Sequence, residues 1–131
     1  MNDAFQELAV LDGRFSVEAF RFLYESLEEA LRLAGKKDAD GIDRHLTGQE
    51  VLTGMRSMAG RMFGPMAAQV WRTWGVNESM DWGRIVFLLV DKGLLSRREE
   101  DSIEDFREGF DFDCVFVENY SVALPADLAD H

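Results

Sequence analysis

The sequence predicts a mostly α-helical domain. Its order is helix–helix–helix–strand–loop–strand after an extra N-terminal helix, as in a winged helix. Three observations carry this reading. Apolar residues recur at three- and four-residue spacing from Ser16 to Ala34. Thr47-Gly48-Gln49-Glu50 is a capping box that opens a second such stretch. The apolar run from Ile85 to Val90 ends at Gly93 and passes straight into Leu94-Leu95-Ser96. A plainer alternative is a five-helix bundle with an acidic hairpin or loop.

Taken in order, Phe5, Leu8 and Leu11 form one short apolar stripe. The first firm helix runs from Ser16 to about Ala34. Ser16 is placed to cap it, and Gly35 to end it in the left-handed conformation. Phe20, Leu23, Tyr24, Leu27, Leu31 and Ala34 make its apolar face. Lys36 to Arg44 is a polar loop. The helix opened by Thr47 reaches about Met62, with Val51, Leu52, Met55, Met58, Ala59 and Met62 inward. Gly64-Pro65 stops that helix and starts the next, which is short and ends at Gly75. Asn77 or Ser79 caps a fourth helix running to about Lys92. Leu94 to Ser96 reads as a short strand, Arg97 to Gly109 as a charged excursion with a turn of helix near Ser102–Phe106. Phe110, Phe112 and Val115 to Val117 read as a returning strand. Residues 1–117 form one domain and 118–131 a C-terminal tail.

The chain has 131 residues, of which 47 % are hydrophobic, so it has the means to bury a core. No apolar run approaches the length of a membrane span. The start lacks the basic end and apolar core of a signal peptide, and Cys114 is the one cysteine, so a cytoplasmic location is expected. The net charge is −11, with 25 acids against 14 bases, which disfavours bulk binding to nucleic acid or anionic lipid. From Val51 to Asn77 there is no acid, only Arg56, Arg61 and Arg72. From Glu99 to Asp113 there are eight acids and one base.

No chemical constellation emerges. His45 and His131 belong to no triad or metal pattern, and nothing activates Cys114. Asp111-Phe112-Asp113 has the spacing of a phosphatase nucleophile motif but not the larger α/β chain that motif requires. The acids from Asp101 to Asp113 miss the calcium-loop pattern. Gly54, Gly60 and Gly64 are not gathered after a strand as a phosphate loop demands. No cofactor, metal or catalytic residue is expected. Trp71, Trp74 and Trp82 are expected as core, or as a partly exposed protein-binding anchor. If Trp74 is core, truncating it to alanine costs about 3–5 kcal/mol. DNA reading is disfavoured, because the fourth helix offers only Arg84 and Lys92 beside Asp81 and Asp91.

The chain resembles a small uncharacterised protein family met mainly in planctomycetes and verrucomicrobia. The carrying residues are Phe22 to Glu25, Leu46 to Glu50, Phe63-Gly64 and Trp74 to Val76. They continue with Asp81 to Phe87, Gly93 to Leu95, Asp101-Ser102, Asp105-Phe106 and Asp111 to Phe116. The resemblance implies a domain that stands alone and brings no catalytic residue with it. Two functional readings follow. One is a non-enzymatic adaptor or regulatory module that binds an unidentified protein or a second copy of itself through Glu99, Glu100, Asp101, Glu104 and Asp105 and an aromatic surface. The other is a nucleic-acid- or ribosome-associated factor using Arg56, Arg61, Arg72 and Arg84 as a local anion site.

Overall fold

The computed structural model describes residues 4–38, 46–95, 104–107 and 109–118. Its helices are α1 (Ala4–Asp12), α2 (Val17–Leu33), α3 (Gly48–Phe63), α4 (Ala67–Thr73) and α5 (Ser79–Asp91). A 3₁₀ turn, Gly64–Met66, joins α3 to α4, and a π-helical turn, Cys114–Glu118, follows a short 3₁₀ turn at 104–107. The mostly helical class therefore holds. The winged-helix strand order does not, because no strand occurs among the described residues.

Both expected strands fail for local reasons. At the end of α5, Gly93 adopts φ +80°. The chain then folds back so that the amides of Leu94 (2.8 Å) and Leu95 (3.3 Å) both donate to the Leu89 carbonyl. This helix-closing motif uses the donors that a strand ladder would need. In the second case, Asp111 caps a turn. Its carboxylate accepts from the Cys114 amide at 2.9 Å and its carbonyl from the Val115 amide at 3.0 Å. The segment coils, and Phe112 and Phe116, four apart, are buried together. The alternation from Phe110 to Phe112 concealed that helical spacing. The region between these two places, 96–103, and the tail from residue 119 lie outside the described residues.

The α2–α3 pair is the central layer. Ala19, Phe20, Phe22, Leu23, Ala30 and Leu31 of α2 are buried, as are Val51, Leu52, Met55, Met58 and Ala59 of α3. The capping box at α3 forms in full: the Glu50 amide donates to Thr47 Oγ1 at 3.1 Å, and the Thr47 amide to Glu50 Oε1 at 2.9 Å. Three expected cap or face residues differ. Ser16 stands at the α2 start without a side-chain bond, while its amide donates to the Trp74 carbonyl at 3.0 Å. Glu78, not Asn77 or Ser79, caps α5, in a reciprocal pair with Asp81. Met62 is exposed because Phe63 takes the inner position, against Phe22 (6.1 Å) and Trp74 (5.8 Å).

On α1, Phe5, Leu8 and Ala9 face the core, and Leu11 is exposed. Tyr24 sits at the edge of α2, against the Phe5 ring at 5.2 Å, and is partly exposed. Gly75 closes α4 with φ +95°, and a side chain there would collide with the carbonyl of Arg14. Glycine is thus needed twice over, for conformation and for the close approach of the α1–α2 connection.

Candidate functional site: a cleft beside the aromatic core

Trp71 of α4 is the hub of the core, with 0 % exposure. Its ring meets Trp82 (5.1 Å), Phe112 (4.8 Å) and Phe116 (5.1 Å), all within about 11° of perpendicular. Edge-to-face contact suits the ring quadrupoles. The indole N–H groups of Trp71 and Trp82 have no oxygen or nitrogen partner. Neighbouring ring faces are weak acceptors for such donors. Trp74 is only half-buried, its ring tilted against Phe22 at 5.5 Å.

The segment from Glu104 to Phe116 is fastened across the starts of two helices. The Asp105 carboxylate accepts from the Gly48 amide at 3.1 Å, and its carbonyl from Gln49 Nε2 at 3.0 Å. Ser79 Oγ accepts from the Phe110 amide at 3.0 Å and donates to the Phe110 carbonyl at 3.1 Å. Asp113 pairs with Arg72 of α4 at 2.8 Å. Phe106, Phe112 and Phe116 are buried. The expected strand is therefore a clamp on the core. Its fastening was concealed from sequence because the partners of Asp105 and Ser79 lie 31 to 57 residues away.

An open cleft of about 300 Å³ lies between the start of α5 and this clamp. Arg72, Glu78, Arg107 and Asp111 form its charged walls, with Met80 and Phe110 as partly exposed apolar surface. Of the expected acidic site, Asp105 is used in holding α3, and Glu104 is exposed and paired with Arg107 at 2.8 Å. Glu99, Glu100 and Asp101 lie outside the described residues, as does His45.

The four arginines offered as an anion site are not brought together as free guanidinium groups. Arg61 pairs with Glu29 at 3.0 Å, Arg72 with Asp113, and Arg84 with Asp81 and, at 3.5 Å, Glu78. Arg56 is exposed, its guanidinium 6.0 Å from the centre of the Phe110 ring. Sequence reasoning read an acid-free stretch. The carboxylates that neutralise it come from other elements.

Glu29 is the most strongly perturbed of these acids, at 9 % exposure. It accepts from Arg32 Nε (3.2 Å) and Nη2 (3.0 Å), Ser57 Oγ (2.8 Å) and Arg61 Nη1 (3.0 Å). The Arg32 bonds first, then Ser57, hold its carboxyl down at about 2 from an ordinary 4.5, against the opposing effect of burial. Its pKa is lowered on folding, so its contribution is present above the unfolded value and lost as pH falls from about 4.5 towards 2. The stability gap between wild type and Glu29→Gln in urea titrations is expected to close over that window. A gap that stays constant down to the lower limit contradicts the network.

Among the described residues, no three His, Cys, Asp or Glu side chains converge as metal ligands. No helix there is long and apolar enough to cross a membrane. Comparison with protein-family models, curated proteins and solved structures finds no match for this chain.

Proposed function

We propose that this chain is a non-enzymatic, cytoplasmic protein-interaction module that presents an acidic face to a partner protein. One observation carries the reading. The acid-rich stretch from Glu99 to Asp113 leads into a clamp that the core holds rigidly through Phe106, Phe112 and Phe116. Its Asp111 carboxylate lines an open cleft, and its Glu104 carboxylate pairs with Arg107 of the cleft wall. Asp105 serves by holding the clamp to α3. The same proposal includes membership of the family the chain resembles, which supplies no catalytic residue. The arginine reading loses support, since Arg61, Arg72 and Arg84 are each held by a carboxylate.

The test is retention from source-cell lysate on immobilised wild type and on a triple variant, Glu99→Lys with Glu100→Lys and Asp101→Lys. Circular dichroism and a denaturant titration check that the variant folds before retention is compared. A protein held by wild type after nuclease treatment, and lost by the variant, supports the module. Retention that survives the reversal overturns the acidic face. Retention that vanishes with nuclease and falls steeply with salt moves the function to the arginines.

A further inference from the structure

We propose that the cleft at the start of α5 is the seat for a basic segment of the partner. One bulky apolar side chain lies on Phe110 and Met80, and a neighbouring Lys or Arg lies between Glu78 and Asp111. The proposal rests on the interaction-module reading and gives it a place and a chemistry.

Size is the first argument. A cleft of about 300 Å³ is at the lower end of the range for small-molecule sites, about 300–1,000 Å³. It accommodates one or two side chains of an extended chain. Preorganisation is the second. Both backbone polar groups of Phe110 are tied to Ser79, and one oxygen of Asp111 is tied to the Cys114 amide. Little order is left to be gained on binding.

Charge decides the sign of the occupant. Arg72 and Arg107 line the cleft together with Glu78 and Asp111. Both guanidiniums are already held, by Asp113 and Glu104 at 2.8 Å each. Arg84 is shared by Asp81 and Glu78. With Arg56 at the Phe110 ring, four guanidiniums stand among five carboxylates, and of these Glu78 has only a 3.5 Å contact to Arg84 while Asp111 has no guanidinium partner among the described ion pairs. An incoming cation finds unmatched negative charge, and an incoming anion must displace existing pairs. Arg56 already lies over the Phe110 ring, so that ring is compatible with a cation close by.

The test uses the full chain and short amidated peptides of lysine and arginine carrying one central leucine. Two comparators replace the leucine by glycine, or every basic residue by glutamate. Binding is followed at low salt by amide NMR. The leucine peptide is expected to shift Met80, Gly109, Phe110 and Asp111 saturably, the glycine peptide to bind more weakly, and the glutamate peptide not to bind. Glu78→Gln with Asp111→Asn keeps acceptor oxygens for both caps and removes two charges. It is expected to weaken the leucine peptide about five- to tenfold. Should that variant lose its dispersed spectrum, leucine against glycine on wild type decides. Equal binding of leucine and glycine peptides, or binding of the glutamate peptide, overturns the proposal. So does the absence of shifts at the cleft. Shifts confined to the acidic residues before Glu104 overturn the cleft while leaving the module reading intact, because lysate retention tests that reading separately.

Discussion

Truncating Trp71 to alanine is expected to cost about 3–5 kcal/mol, the range for a large aromatic side chain removed from a packed core. The residue is fully buried, and its ring touches Trp82, Phe22, Phe110, Phe112 and Phe116. No nearby group is free to fill the space, because the clamp rings are fixed by Ser79 and Arg72 on either side. The loss joins the transfer term to an unfilled cavity. Denaturant titration checks it, with Trp74→Ala as comparison. Trp74 is half-buried, so its truncation is expected to cost less than that of Trp71. This reverses the emphasis that sequence alone placed on Trp74. Equal losses at the two positions contradict the assignment of Trp71 as hub.

Gly54→Val is expected to destabilise by about 3 kcal/mol, the upper part of the range for overpacking. Here α2 and α3 approach through their backbones. A Cβ at residue 54 falls 2.6 Å from Ala30 Cβ and 2.7 Å from Ala30 Cα and N. Those atoms belong to a helix backbone and its shortest side chain, so no rotamer change relieves the clash. The two helices must move apart, opening the central layer. Gly60, in the same helix, has nothing within 4 Å of its Cβ position. Gly60→Ala is therefore expected to stabilise by up to about 1 kcal/mol through helix propensity alone. The opposite signs are the diagnostic. If both substitutions stabilise, the close approach of α2 and α3 is not as described.

The two glycines look alike in sequence. Both sit inside a helical pattern, and only the neighbour across the interface separates them. The same division runs through the molecule. Local chemistry was sufficient for α2, α3 and the Gly64-Pro65 junction, because periodicity, a capping box and helix-ending glycines act over a few residues. It was sufficient as well for the helical class and for the charge map. It was insufficient for Leu94-Leu95 and for Phe110 to Phe116, where short apolar runs fit strand and helix alike. There, backbone closure onto Leu89 and the burial of Phe112 and Phe116 against Trp71 decided for the helix end and the coiled turn.

Tertiary structure decided most of the site. Asp105 is held by Gly48 and Gln49, Phe110 beside Asp111 is held by Ser79, and Arg61 and Arg72 are neutralised by Glu29 and Asp113 from other elements, whereas Arg84 pairs within its own helix with Asp81. An acid-free stretch is a property of sequence, whereas a free cation is a property of space. By itself the sequence determined the main helices and how many charges the chain carries, since helix periodicity, capping and composition are local or additive. Which charges remain available to a partner depends on contacts between segments far apart, and only the folded chain brings those together.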